Sequence, residues 1–236
     1  MRRPDLADIV DALRDLPVNY DEAQAPPAVT AGWHRDRRVL ELGYEAPGEP
    51  EPGGLVETAA ALVNNYEFSD PSILRAAFRY PGDLVGREML LEARFLVLRF
   101  LLGVRITAEI DEVRSGPNGP ERVIGWSYQT LRGHLEQGRL GYELAKQLDT
   151  GRVEFRIVAY SRRAPARSPV IALGFLLFGR RTQLRFYRQA LARLHRLLQD
   201  PPEPPKPGPD GLIRAPSGVE PGRFEAFTLR IAHPGR

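Results

Sequence analysis

Hydrophobic and polar residues alternate along the middle of the chain, from Arg87 to Ser161. Alternation with period two places every second side chain on one face of a strand, so this segment is expected to contain strands with one buried face. The connections between them are short, which favours an antiparallel meander. The predicted strands cover residues 89–95, 104–111, 123–130, 139–147 and 153–161, with a turn at 114–121.

Helical periodicity lies on both sides of this meander. Asp5 can cap a short N-terminal helix that stops at Pro17, and residues 38–42 are predicted as a first strand. A loop at 47–54 precedes a helix at 55–66, and a second short helix is expected to begin with Asp70 as cap and Pro71 at its first position. The longest predicted helix begins at Pro169 after the capping Ser168 and reaches about Leu198, which gives a length of about 45 Å.

This order of elements predicts an α+β fold in which a curved antiparallel sheet of about six strands grips the long C-terminal helix, because the apolar sheet face needs a cover. We expect an N-terminal helix at residues 1–17, a helix-grip domain at 18–199 and a proline-rich tail at 200–236. Eight prolines between 201 and 222 argue that this part of the tail forms no regular element, whereas residues 224–231 could dock as an edge strand.

Composition narrows the class of protein. The 236 residues are 42% hydrophobic and 27% charged, as in globular domains. The chain has no cysteine, which excludes disulfides, thiolate zinc sites and a cysteine nucleophile. No secretory signal or apolar run of membrane-spanning length is apparent. A cytoplasmic location is therefore expected, with a position peripheral to a membrane as the alternative.

Positive charge is concentrated near the C-terminal helix. Residues 162–199 hold nine arginines and no acid, and Arg181, Arg185, Arg188 and Arg196 fall on one side of the predicted helix. This face is either a solvated surface or a contact for an anionic membrane surface. Nucleic acid is not expected as a partner, because the aromatic residues fall mainly on the packing side of the helix.

Candidate chemistry centres on His134 and Glu136, which form the one close His/carboxylate pair in a loop between strands. They could act as acid–base groups, or they could only brace the turn. The four histidines are too far apart in sequence for a ligand motif, so no metal site is predicted. No nucleotide-binding or nucleophile-elbow motif occurs, and no cofactor is expected.

The segment Gly125-Trp126-Ser127-Tyr128-Gln129-Thr130-Leu131-Arg132-Gly133-His134-Leu135-Glu136-Gln137-Gly138 resembles the signature of an uncharacterised family, the domain-of-unknown-function family nineteen-ninety. Shorter pieces fit in order, so that the resemblance covers about residues 16–197. These pieces are Asn19-Tyr20, Gly32-Trp33-His34, Tyr160-Ser161-Arg162 and Gln183-Leu184-Arg185-Phe186.

The resemblance implies kinship with helix-grip proteins of the START and birch-pollen-allergen type, which commonly hold lipids or other hydrophobic small molecules. Two departures from the family pattern stand out. Gln129 replaces a usual glycine, and Arg139-Leu140-Gly141-Tyr142 stands where members carry two acids and an aromatic residue.

The sequence therefore predicts non-catalytic binding of a hydrophobic or amphipathic small molecule in a cavity between the sheet and the C-terminal helix. A small enzyme using His134 and Glu136 in the same cavity and a peripheral membrane protein using the arginine face are the alternatives. The predicted ligand-binding residues are Trp126, Tyr128, Thr130, Tyr142, Tyr160 and Tyr187.

Overall fold

Nine strands form one sheet in the computed structural model, which describes residues 5–21, 32–79, 82–95, 98–116, 118–164, 169–218 and 229–232. The strands are β1 (Trp33–Tyr44), β2 (Leu74–Arg79), β3 (Glu88–Phe95), β4 (Leu98–Gly116), β5 (Gly119–Thr130), β6 (Glu136–Gln147), β7 (Arg152–Arg163), β8 (Leu212–Ala215) and β9 (Leu229–Ala232). The helices are α1 (Leu6–Asp11), which continues as a 3-10 turn (Ala12–Asp15), α2 (Leu55–Asn64) and α3 (Pro169–Leu197).

Strand order in the sheet is β1-β7-β6-β5-β4-β3-β2-β8, and β9 pairs in parallel with the first residues of β4. Neighbouring strands from β3 to β7 are consecutive in sequence and antiparallel. The prediction of an antiparallel meander is confirmed, and the described sheet is larger than the predicted six strands because β2, β8 and β9 extend it.

The inner face of the sheet, defined as the face that packs against α3, holds the main hydrophobic core. Phe186, Tyr187, Ala190 and Leu194 of α3 are buried in one cluster with inward side chains of the meander. The predicted helix-grip arrangement, with the last helix crossing one face of the sheet, is confirmed.

The outer face of the sheet carries a second, smaller core. Val10 of α1 and Leu13 of the following turn are buried there against Leu90, Leu101 and Leu131. The N-terminal helix was predicted at residues 1–17, outside the helix-grip domain of 18–199, whereas in the structure it packs on the sheet of that domain and covers apolar side chains that the outer face would otherwise expose.

Two predicted elements differ in the structure. The expected helix after Asp70 is a turn in which the Asp70 carboxylate accepts the N–H of Ser72 at 2.8 Å, and β2 follows directly. The proline-rich segment was expected to contain no regular element, whereas β8 lies within it and pairs with β2. Both errors concern a short strand near one end of the sheet, whose pairing partners are set by the sheet and not by local sequence.

No helix in the described parts of the chain is long and apolar enough to cross a membrane.

Candidate functional site

The connection between β5 and β6 forms a tight turn at one end of the sheet. Gly133 has a φ of 95°, a conformation that favours glycine, and the His134 N–H donates to the carbonyl of Leu131 at 3.0 Å. At Gly138 a Cβ atom would meet the carbonyl oxygen of Tyr160 at 2.3 Å, so a glycine is needed for β6 to approach β7. These two signature glycines therefore shape the site by their lack of a side chain.

The segment near Asn19 braces this turn. The Thr130 hydroxyl donates to Asn19 Oδ1 at 2.6 Å, and the Gly138 N–H donates to the same hydroxyl at 3.0 Å. Asn19 Nδ2 donates to the carbonyl of Glu136 at 2.9 Å, and Gln137 Nε2 donates to the carbonyl of Asn19 at 2.6 Å. Two pieces of the signature that are far apart in sequence thus hold one hairpin in place.

His134 is held as a neutral imidazole. The backbone N–H of Glu136 donates to its Nδ1 at 2.9 Å, which places the ring proton on Nε2. Burial lowers the pKa of His134 to about 4, because the charged form loses hydration. Both proposed roles therefore have a structural basis: Nδ1 braces the turn, while Nε2–H has no hydrogen-bond partner among the described residues.

The Glu136 side chain faces open space beneath α3. No hydrogen bond or ion pair joins its carboxyl group to another described residue, and burial raises its pKa to about 7. The positive charge of Arg180 opposes this rise and the negative charge of Asp36 adds to it. Glu136 can therefore exchange a proton near neutral pH, unlike an ordinary surface glutamate.

A cavity of about 120 Å³ lies between the inner face and α3. His134, Glu136 and Gln183 provide much of its polar lining, and apolar side chains form most of the rest. The apolar and aromatic lining residues are Ile73, Leu74, Leu91, Ala93, Leu102, Tyr128, Leu140, Phe186 and Tyr187. The cavity is about the size that accepts a benzene ring.

Tyr187 adds an unusual feature to this lining. Its side chain is 0% exposed, and its hydroxyl has no hydrogen-bond partner among the described residues. Burial raises its pKa far above the usual value. A buried hydroxyl without a partner costs stability, so a polar group that bonded to it from the cavity would be stabilising.

The predicted ligand-binding residues lie in four different places. Tyr128 and Tyr187 line the cavity, and Thr130 lines an adjoining space of about 30 Å³ together with His134 and Glu136. Trp126 and Tyr142 are fully buried in the aromatic core next to Tyr128, with the Trp126 and Tyr142 ring centroids 4.9 Å apart.

Tyr160 does not line this cavity. It packs against Trp33, with ring centroids 5.5 Å apart, and against Tyr20 at 6.0 Å. Its neighbour in sequence, Ala159, belongs to the inner core, so the alternation along β7 places Tyr160 on the outer face.

A second cavity, of about 240 Å³, adjoins the first at the Glu136 and Gln183 side chains. We call it the mouth, and it is lined by Gly32, His34, Glu136, Arg162, Arg163, Arg180 and Gln183. Arg180 forms a two-pronged ion pair with the buried Asp36 and donates to Gln183 Oε1 at 2.7 Å, which fixes α3 to β1.

Of the mouth residues, only Glu136 was a candidate from the sequence. Arg163 and Arg180 were visible only as members of the acid-free arginine run, and the others only in flanking motifs, namely Gly32, His34, Arg162 and Gln183. Their proximity depends on where α3 crosses the ends of β6 and β7, which no local pattern specifies.

The four arginines of the predicted basic face are all exposed on α3. None of Arg181, Arg185, Arg188 and Arg196 forms an ion pair with a described residue. Within the described ranges no group of three or more metal-ligating side chains comes together.

The sequence of the chain matches the family model described as domain of unknown function (DUF1990) over residues 19–193. The chain belongs to this family. In this DUF1990 member the signature hairpin and the Asn19 segment both lie inside the matched range, whereas β8 and β9 lie beyond it. No curated protein matches the sequence.

Several solved structures resemble this DUF1990 protein. Ara h 8.0201 is 11% identical, with a TM-score of 0.39 over 71% of this chain and 99% of its own. Human STARD10 is 10% identical, with a TM-score of 0.40 over 85% of each chain. The hypothetical protein jhp0584 from Helicobacter pylori is 11% identical, with a TM-score of 0.40 over 76% of this chain and 95% of its own. At such identities the likeness concerns the fold alone.

Proposed function

We propose that this DUF1990 protein binds an amphipathic small molecule, with the apolar part of the ligand in the cavity under α3. The observation that carries the proposal is the combination of an apolar lining with two polar groups, the Tyr187 hydroxyl and the Glu136 carboxyl group, that form no hydrogen bond with a described residue. A mostly apolar concavity with a few polar groups is the usual form of a small-molecule site. The helix-grip fold is consistent with this proposal but does not carry it.

The size of the cavity limits the apolar part of the ligand. A space of about 120 Å³ accepts a phenyl ring or a short alkyl group, and not a long acyl chain. We therefore propose a compact ligand in place of the lipids that the family resemblance suggests.

Blocking the cavity tests the proposal. Ala93→Leu adds three carbon atoms to a residue of the lining, and Thr182→Leu blocks the same space from the helix side. Both variants should bind the neutral probe 3-phenylpropanamide at least about tenfold more weakly than the unmodified protein, as expected when a filled cavity excludes a ring. Isothermal titration calorimetry provides the measurement.

Ala60→Leu is the matched control, because Ala60 is also half-buried beside the core but lines a different cavity, next to β4 and β5. It should leave probe binding unchanged. Equal binding by the folded Ala93→Leu, Thr182→Leu and Ala60→Leu variants would place the probe elsewhere and contradict the proposal.

A second candidate function is acid–base catalysis in the same cavity. The observation that favours it is the pKa of Glu136 near 7, since a catalytic acid or base works best when its pKa is close to the working pH. In this alternative Glu136 transfers the proton, and His134 contributes its Nε2–H as a hydrogen-bond donor because its pKa of about 4 keeps it neutral.

A third candidate function is contact with an anionic membrane surface by a cytoplasmic protein. The exposed and unpaired state of Arg181, Arg185, Arg188 and Arg196 favours it, because no described acid neutralises them. This contact is compatible with ligand binding, since the four side chains lie away from the cavity.

A further inference from the structure

The mouth differs chemically from the cavity that it adjoins. Three arginines and a histidine surround it, while Glu136 is the one acid in its lining. A ligand whose apolar part fills the inner cavity would extend its polar end into this space, because the two cavities share Glu136 and Gln183.

The three arginines of the mouth differ in the hydrogen bonds and ion pairs that they form with the rest of the protein. Arg180 is held by Asp36, and Arg162 donates its Nε to Gln137 Oε1 at 2.8 Å while its guanidinium lies 4.8 Å from the centre of the Trp33 ring. Arg163 has no hydrogen bond or ion pair with a described residue, and the terminal nitrogens of Arg162 have none either. Arg163 lies opposite Glu136 in the pairing of β7 with β6, so its N–H donors are the ones available to a ligand beside Glu136, whereas Arg162 lies on the other face of β7 against Trp33.

The polar groups at the junction suit a carboxylate. A guanidinium binds a planar carboxylate through two parallel hydrogen bonds. Beside it, Glu136 in its protonated form can donate a hydrogen bond to the same group, and burial holds its pKa near 7 so that this form is populated at slightly acidic pH. Gln183 can donate a further hydrogen bond from the helix side.

We infer that the ligand of this site is a compact apolar carboxylic acid, whose ring or short chain occupies the cavity under α3 and whose carboxylate binds Arg163 at the mouth. This inference rests on the proposed function, because it specifies the polar end of the same ligand. It assigns a specificity role to Arg163, which no signature motif contains.

Two probes of almost equal shape test this inference. 3-Phenylpropionate carries the carboxylate, and 3-phenylpropanamide is its neutral counterpart. At pH 6, below the pKa of Glu136, the unmodified protein should bind the acid about tenfold more tightly than the amide, as expected for one charge-assisted, two-pronged contact. Titration calorimetry of both probes gives the ratio of the two affinities.

Arg163→Gln should reduce this ratio to about one by weakening binding of the acid more than that of the amide, and it should remain folded because the exposed Arg163 side chain supports no part of the fold. Arg188→Gln removes the same charge from the outer side of α3 and should keep the ratio of the unmodified protein. The comparison separates a local contact from the general effect of net charge.

The outcomes distinguish the two proposals. Equal affinity for acid and amide in the unmodified protein would overturn the inference and leave the proposed function standing. A preference for the acid that survives Arg163→Gln would overturn the assignment of Arg163. Failure of both probes to bind at millimolar concentration would overturn the proposed function together with the inference.

Discussion

At the scale of single residues, one environment shifts two neighbouring groups in opposite directions. Burial beneath α3 lowers the pKa of His134 to about 4 and raises that of Glu136 to about 7, because in each case it disfavours the charged form. At mildly acidic pH, His134 and most of the Glu136 population are therefore uncharged. Such a site can accept an uncharged ring, and its net positive potential comes from the arginines of the mouth.

Glu136→Gln should change the pH dependence of stability. Glu136 takes up a proton in the folded protein at a higher pH than in the unfolded chain, so it lowers the free energy of unfolding as pH rises from about 4.5 to about 7. The variant should therefore be more stable than the unmodified protein by on the order of 1–3 kcal/mol at pH 8 and about equally stable at pH 4. Urea unfolding across this range measures the difference.

Other titratable groups near Glu136 also make the free energy of unfolding depend on pH. Their contributions are the same in the variant and in the unmodified protein, so they cancel in the difference. The contribution of His134 to the free energy of unfolding is lost as pH falls from about 6.5 to about 4, and this loss is the same in both proteins. Glu41→Gln, at an exposed position of β1, is the control and should show no such pH-dependent gain. A stability difference for Glu136→Gln that does not grow with pH would contradict the buried, unpaired state of its carboxyl group.

At the scale of elements, the meander and the last helix were predictable, because each has a long, regular pattern. Strands β3 to β7 follow from period two, and α3 follows from its apolar stripe and its proline start. Strands β2 and β8 could not be predicted from such patterns. Asp70 and Pro71 are typical of a helix start, yet Leu74–Arg79 finds its partners in β3 and in β8, and the latter lies more than 130 residues further along the chain.

The candidate site was predictable only in part for the same reason. The signature located His134, Glu136, Tyr128 and Thr130, because these residues are close together in sequence. Arg163 and Gln183 could not be found, since their role depends on the crossing point of α3 over the sheet. Alternation also could not tell which face of β7 turns inward, and this is why Tyr160 was grouped with the cavity residues.

The arginine face of α3 leads to a prediction about a whole helix surface. Arg181, Arg185, Arg188 and Arg196 lie within about a quarter-turn at 100° per residue. If they contact a membrane, each should contribute on the order of 1 kcal/mol to binding of anionic vesicles, and salt should weaken the effect. Changing all four to Gln should abolish co-sedimentation with phosphatidylserine-containing vesicles and leave the fold intact, because these side chains point to solvent.

Vesicles of phosphatidylcholine alone are the control and should bind neither protein. If the unmodified protein fails to co-sediment with anionic vesicles even at low salt, the face is only solvated and the membrane contact is refuted.

At the scale of the whole molecule, the arginines serve two different purposes. On β7, Arg156 is buried and binds Glu121 through both terminal nitrogens at 2.7 and 2.8 Å. This contact, with a further bond from Arg114, lowers the pKa of Glu121 to about 2. Such pairs neutralise charge inside the fold, whereas Arg163 and the four exposed arginines Arg181, Arg185, Arg188 and Arg196 form no ion pair with a described residue. The net charge of +3 is small, but the positive charge is unevenly distributed over the molecule.

The positions of the helices explain why a cavity remains beside the inner core. The outer face is closed by α1, and the inner face is closed by α3 and α2. Arg180 and Asp36 pin α3 to β1 beside the mouth, so the helix is held where the space beneath it stays open. The central claim is that this space is a binding site and not a packing defect.

Native mass spectrometry of the protein purified from its own host tests this claim most directly. The unmodified protein should carry a small molecule that is released on denaturation, and Ala93→Leu purified in the same way should lack it, while Ala60→Leu should retain it. An unmodified protein that shows only the mass of its bare chain, or an Ala93→Leu variant that retains the same molecule in full, would contradict the account.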